Sequence, residues 1–162
     1  MSMAVSDPFT IRQLSRDDSA LLDGMLTAFG EAFNEVDTYG KNRPGAAYQQ
    51  RLLGSDYFIA LVALKGSEVV GGIAAYELKK FEQERSEIYL YDLAVSAAHR
   101  REGIATALIN ELKAIAAARG AYVVFVQADH GDDPAIALYT KLGMREDVLH
   151  FDIPIEGSKS AA

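Results

Sequence analysis

The chain contains no cysteine in its 162 residues, which excludes disulfides, thiolate metal sites and a cysteine-borne acyl intermediate. Any acyl transfer must then go directly or through a weaker nucleophile. No apolar run approaches the roughly 20 residues of a bilayer-spanning helix, and Met1–Pro8 has neither the basic nor the apolar region of a secretory signal. The expected setting is cytoplasmic, with no membrane partner. Basic charge is also short, with 16 Lys and Arg against 23 Asp and Glu and a formal charge of -7. That balance argues against a nucleic-acid partner, and for either simple solubility or a cationic ligand. His99 and His130 fall into no metal-ligand spacing with each other or with carboxylates, so no metal is assigned. His150, alternating with apolar residues, reads as a strand histidine with a local partner.

The remaining composition, 49% hydrophobic and 24% charged, is that of one ordinary globular domain. We expect a single domain over residues 1–156 and an unstructured tail over 157–162. Phe9–Leu14 reads as a strand, and Ser15-Arg16-Asp17-Asp18 resembles a capping box opening a helix with apolar positions at Leu21, Leu22, Met25, Leu26, Phe29 and Phe33. A second helix is expected over Pro44–Leu53, and strands over Tyr57–Leu64 and Val69–Leu78 joined by a Lys65–Glu68 hairpin turn. Gly71-Gly72 suggests a bulge or a close backbone approach. Glu87–Val95 is too dense in apolar and aromatic residues for an edge and reads as a central strand. There follow a helix to about Arg119, a strand Tyr122–Ala128, a helix from Asp133-Pro134 to Gly143, and a closing strand Val148–Ile155. The fold class is therefore α/β, a sheet covered by helices, and the apolar closing strand could support a homodimer.

Between the central strand and its helix lies Arg100-Arg101-Glu102-Gly103-Ile104-Ala105. A turn that carries Gly103 straight into a helix presents unpaired N–H groups and the positive end of the helix dipole, which suit phosphate oxygens. Arg100 and Arg101 add charge and bidentate donors, and small residues at Gly103 and Ala105 let a ligand reach main chain. Alone, the pattern is equally that of a tight strand-to-helix turn with two solvated arginines. Its context is Leu93-Ala94-Val95 before it, a helix and a strand after it, then a short helix carrying Ala137-Leu138-Tyr139 and ending Leu142-Gly143-Met144. With these motifs the sequence resembles the GNAT superfamily of N-acetyltransferases.

The resemblance implies the GNAT fold, a mixed, mostly antiparallel sheet splayed at its central strands and flanked by helices, with acetyl-CoA as co-substrate. It implies that the strand end Leu93-Ala94-Val95 runs along the pantetheine arm, Leu93 and Val95 also meeting the acetyl group. Arg100, Arg101, Gly103, Ile104, Ala105 and Thr106 would hold the pyrophosphate. Ala105 stands where many members have glycine. The likeness extends further. Phe81-Glu82-Gln83, Arg85–Tyr89, Tyr91–Ser96, His99-Arg100-Arg101, Gly131–Pro134, Ala137–Gly143 and His150-Phe151-Asp152 are similar to the gentamicin-type aminoglycoside 3-N-acetyltransferases. It spans Phe29 to Asp152 and loosens around Lys41–Tyr48 and at His130.

Acetyl transfer to an amine needs the ammonium deprotonated, the thioester carbonyl polarised and the departing thiolate protonated. Glu87 lies at the offset where related acetyltransferases place a general base, and burial beside Tyr89 and Tyr91 would raise its pKa. A solvated strand-start carboxylate is the plain alternative. Asp92 interrupts an apolar run, where an unpaired carboxylate would be costly. Alternation puts Glu87 and Asp92 on opposite faces unless a bulge intervenes; one is expected, because the resemblance implies that Asp92 also lines the amine site. Tyr139, protonated at neutral pH, can donate to the thiolate, although a helix tyrosine packed on the sheet would look the same. A main-chain N–H near Leu93, left free where the strands part, is the candidate oxyanion donor.

Acidic residues recur in the loops expected around the acceptor: Glu31, Glu35 and Asp37, then Asp129, Asp132 and Asp133. They suit a polycationic small-molecule amine, although Asp132 and Asp133 would equally cap a helix. The expected reaction is acetylation of the 3-amino group of the 2-deoxystreptamine ring of gentamicin-like aminoglycosides, conferring resistance, with Glu87 as base and Tyr139 as acid. The alternatives are an acetyltransferase for polyamines or lysine side chains, or a non-catalytic acyl-CoA-binding module.

Overall fold

A computed structural model describes residues 8–157 of the chain. They fall into two compact units, one ending at Gln127 and the other beginning at Ala128. The first unit carries β1 (Thr10–Gln13), α1 (Ser19–Ala32), α2 (Val36–Gly40), α3 (Ala46–Leu53), β2 (Phe58–Lys65), β3 (Glu68–Lys79), β4 (Ser86–Val95), α4 (Ile104–Ala118) and β5 (Ala121–Val126). The second carries α5 (Asp133–Leu142).

The five strands form one sheet in the order β1-β2-β3-β4-β5, antiparallel up to β4 and parallel between β4 and β5. Helices cover both faces, so β2 needs no polar face: Phe58 through Ala63 are all buried. Gly66, at φ +61°, makes the β2–β3 turn in the left-handed region that glycine enters without a Cβ clash. On one face α1 lays down Leu22, Met25 and Phe29, which pack with Phe58, Ala60, Val62 and Ala94. On the other, α4 buries Ile104, Leu108 and Leu112 at helical spacing.

Gly71 and Gly72 show why two glycines sit mid-strand. A Cβ on Gly72 would lie 2.8 Å from both the Leu61 carbonyl oxygen and Met25 Sδ on α1, and one on Gly71 would lie 3.0 Å from the Ala94 oxygen and 3.4 Å from Ile104 on α4. Both readings of the pair hold, because Ala63 pairs with Gly71 and Leu64 with Val69, leaving Val70 as an extra bulged residue.

A second bulge lies between β3 and β4. Leu90 opposes Ala75 and Asp92 opposes Ala74, so Tyr91 is the extra residue. The bulge cancels one alternation and puts Glu87, Tyr89 and Asp92 on the α1 face, opposite Leu78, Tyr76 and Ala74. The β4–β5 ladder runs only from Ser86 to Leu90. Residues 91–95 therefore ladder with β3 alone among the described residues, which is the expected splay.

Three local expectations are corrected. The helix after β1 opens at Ser19, not beside Ser15: the Asp18 carboxylate accepts from the Ser15 N–H at 2.8 Å and binds Arg12 at 2.7 Å, closing a turn ahead of the helix. Val36–Gly40 forms the additional α2. The closing strand expected over Val148–Ile155 is not a strand. The segment has strand-like alternation, but a strand also needs a neighbour for its main-chain groups, and Leu149 and Phe151 stand 84% and 77% exposed. The homodimer argument drawn from that strand loses its premise. His150 does have the expected local partner, Asp152 at 2.9 Å. Of the tail, Gly157 occupies a turn at φ +78°, and residues 158–162 lie outside the described residues.

Candidate active site

Two cavities flank the splayed end of β4. The first, about 220 Å³, is lined by Val95, His99, Arg100, Arg101, Gly103, Ile104, Ala105 and Thr106. It therefore gathers seven of the nine residues expected to hold the coenzyme. Gly103 is the N-cap of α4 at φ +81°, and no side chain caps the helix, so the first-turn N–H groups keep their capacity to bind an anion. Arg101 is also left-handed, at φ +64°, which makes this a tightly wound cradle. The donor set fits a pyrophosphate: main-chain N–H groups, a helix N-terminus and two guanidinium groups. Leu93 is half-buried on the strand leading in, whereas the side chain of Ala94 points into the α1 core and can offer only its main chain.

The second cavity, about 150 Å³, lies on the α1 face and is lined by Met25, Phe29, Tyr39, Tyr48, Tyr76, Tyr91 and Asp92, among others. Asp92 is its carboxylate. Burial raises the Asp92 pKa; the Tyr39 hydroxyl, donating to Oδ2 at 3.0 Å, partly offsets this, and nearby Glu35 adds to the rise. Tyr39 in turn has its own pKa pushed up, by burial first and by Asp92 second. The Tyr39 ring is held between Phe29 and Phe33, at 6.1 and 5.7 Å between centroids, and Arg43 donates to its carbonyl oxygen. Asp92 and Val95, three residues apart on β4, thus open onto different cavities at the stretch where β5 has parted from the sheet.

Glu87 shares a face with Asp92 but not its environment. Tyr122 donates a short hydrogen bond to Glu87 Oε1, and Lys80 Nζ lies 3.2 Å from the same oxygen. The Tyr122 and Lys80 hydrogen bonds lower the Glu87 pKa, reversing the expected rise, and Glu87 lines neither cavity. Burial beside Tyr89 and Tyr91 does not decide its titration, because its hydrogen-bond donors outweigh desolvation.

Of the acidic loop residues, Glu35 lies near enough to influence Asp92, while Glu31 and Asp37 are exposed on α1 and α2. In the second unit Asp129, Asp132 and Asp133 are exposed, and Asp132 caps α5 by accepting from the Ala135 N–H at 3.3 Å. The N-cap is therefore Asp132, where Asp133 was expected, with Pro134 at the second helical position. Tyr139 lies half-buried on α5. Sequence reasoning assigned no role to Tyr39 or Arg43. The only signal was an aromatic within an acidic segment, and nothing local paired Tyr39 with Asp92. Among the described residues no three His, Cys, Asp or Glu side chains cluster as metal ligands, and no helix is long and apolar enough to cross a membrane.

Comparison with known proteins agrees with this geometry. Residues 23–144 match the acetyltransferase (GNAT) family. An aminoglycoside acetyltransferase, HMB0005, from an uncultured soil metagenomic sample is 66% identical, with a TM-score of 0.90 over 92% of this chain and 99% of that one. A second, meta-AAC0020, also from an uncultured soil metagenomic sample and solved with sisomicin, is 30% identical, with a TM-score of 0.83 over 91% of this chain and 97% of that one. Among curated proteins, N-acetyltransferase 8B of Rattus norvegicus is 32% identical over 90 residues, 56% of this chain. The match spans only 40% of that relative's length. With the family model covering the strand, turn and helix around both cavities, the chain belongs to the GNAT family of acetyltransferases.

Proposed function

We propose that the chain transfers an acetyl group from acetyl-CoA to the 3-amino group of the 2-deoxystreptamine ring of gentamicin-like aminoglycosides. The observation that carries this reading is the Asp92 carboxylate, placed in an aromatic-lined cavity three residues before the strand reaches the anion cradle. The 66% identical neighbour, itself described as an aminoglycoside acetyltransferase, supports the substrate class. Tyr48, Tyr76 and Tyr91 offer flat surfaces to the apolar faces of sugar rings, and Asp92 with Glu35 offers charge to ammonium groups.

Acetyl-CoA supplies the activated thioester. Arg100, Arg101 and the first turn of α4 hold its pyrophosphate, and Leu93 and Val95 guide the arm along β4. Asp92 takes the proton from the acceptor ammonium, freeing the nitrogen lone pair for the acyl carbon. Desolvation raises its pKa, whereas hydrogen bonds from Tyr122 and Lys80 lower that of Glu87. As the C–N bond forms and the C–S bond breaks, Tyr139 returns a proton to sulfur.

The test is an acetylation assay with acetyl-CoA and gentamicin, followed by locating the new amide. Acetyl at the 3-amino group is expected. Turnover only of polyamines or lysine peptides would move the assignment to those amines, and coenzyme binding without turnover of any amine would make the chain a binding module.

A further inference from the structure

The turn that forms the anion cradle also carries a charge of the wrong sign. Glu102 sits between Arg101 and Gly103, the two left-handed residues of the turn, where an ionised carboxylate would repel a pyrophosphate. It is met by a cation from another element. Lys65, the last residue of β2, reaches across 37 positions to contact both carboxylate oxygens, at 2.8 and 3.0 Å. The two side chains are only 12% and 17% exposed, so the pair is held rather than fluctuating in solvent. His99, which also lines the cavity, places Nδ1 at 3.4 Å from the same carboxylate. The Glu102 pKa is lowered chiefly by the Lys65 hydrogen bond, so this carboxylate is ionised at neutral pH.

We propose that Lys65 is a positioning residue for coenzyme binding: it neutralises Glu102 and draws that side chain toward β2, so that the turn presents Arg100, Arg101 and main-chain N–H groups to the pyrophosphate. The inference rests on the reading of this turn as the coenzyme site. With the pair formed, neither Lys65 nor Glu102 lines the cavity. The effect of Lys65 is transmitted through Glu102, and the two substitutions are therefore coupled in sign.

Calorimetric titration with coenzyme A decides the matter, using wild type, Lys65→Met, Lys65→Arg, Glu102→Gln and the Lys65→Met/Glu102→Gln double variant. Lys65→Met should weaken binding about tenfold by leaving an unpaired carboxylate beside the phosphates, and Lys65→Arg should keep most of the affinity. Glu102→Gln should bind at least as tightly as wild type, and the double variant should recover to within about threefold of Glu102→Gln. In steady-state assays Lys65→Met should raise the KM for the coenzyme far more than it lowers kcat. Unchanged affinity in Lys65→Met overturns the proposal, and so does a double variant that binds no better than Lys65→Met. A wild-type chain that binds no coenzyme A removes the coenzyme assignment itself, a result distinct from both.

Discussion

The Tyr39 hydroxyl donates to Asp92 Oδ2 at 3.0 Å, joining α2 to a strand residue 53 positions further along the chain. This bond is made to a carboxylate whose pKa burial has raised, in a cavity walled by aromatic rings. Of the two carboxylates of β4, Asp92 has its pKa raised by desolvation against this bond, whereas Glu87 is held by Lys80 and Tyr122.

Asp92→Asn should therefore lower kcat by about 10²- to 10⁴-fold, the usual loss on removing a general base, while Glu87→Gln should cost less than about tenfold. Coenzyme affinity should be nearly intact in both. Steady-state kinetics of the two variants checks this, and the reverse ranking would return the base to Glu87.

Replacing Asp92 should also change stability with a defined sign. In the unfolded chain Asp92 titrates near its ordinary 3.8, and folding shifts that pKa upward. Its favourable contribution is fully present below the unfolded value and is lost as pH rises through the folded one. At pH 7 the buried charge is a net cost, so Asp92→Asn should melt at a higher temperature than wild type. The difference should shrink as pH falls through the raised folded pKa towards 3.8, below which both states of the wild-type residue are protonated. Thermal melts across pH would show it, and a constant offset at every pH would mean that charge is not the cause.

Tyr39→Phe keeps the ring between Phe29 and Phe33 but removes the donor to Asp92. Without that bond the Asp92 pKa should rise further, because the ionised form loses its partner. The ascending limb of the pH–rate profile should move to higher pH, with a fall of about tenfold in kcat near the wild-type limb. A reduced rate with an unmoved limb would point to packing instead.

Gly72→Ala should destabilise the fold by about 1–3 kcal/mol, since the new methyl group would meet the Leu61 carbonyl on the neighbouring strand as well as Met25. Gly40→Ala has open space and should be neutral or slightly stabilising. Urea denaturation of the pair measures the contrast.

The sequence by itself determined the elements whose causes are local. The apolar spacing of α1 and α4, the glycine turn that opens α4 at Gly103, and the interior position of β4 all follow from neighbours within a few residues. The anion cradle was legible for the same reason, because a strand, a glycine turn and a helix N-terminus are contiguous in the chain. Only the tertiary structure decided which β4 carboxylate has its pKa raised by desolvation, that Tyr39 reaches it, and that Lys65 pairs with Glu102. Glu87 and Asp92 are both acidic residues on one strand, and a bulge puts them on one face. Their pKa values shift in opposite directions because desolvation outweighs hydrogen bonding at Asp92 and hydrogen bonding outweighs desolvation at Glu87. The alternating residues 148–155 mark the converse limit: alternation is local, but a strand exists only where another backbone is present to share its hydrogen bonds.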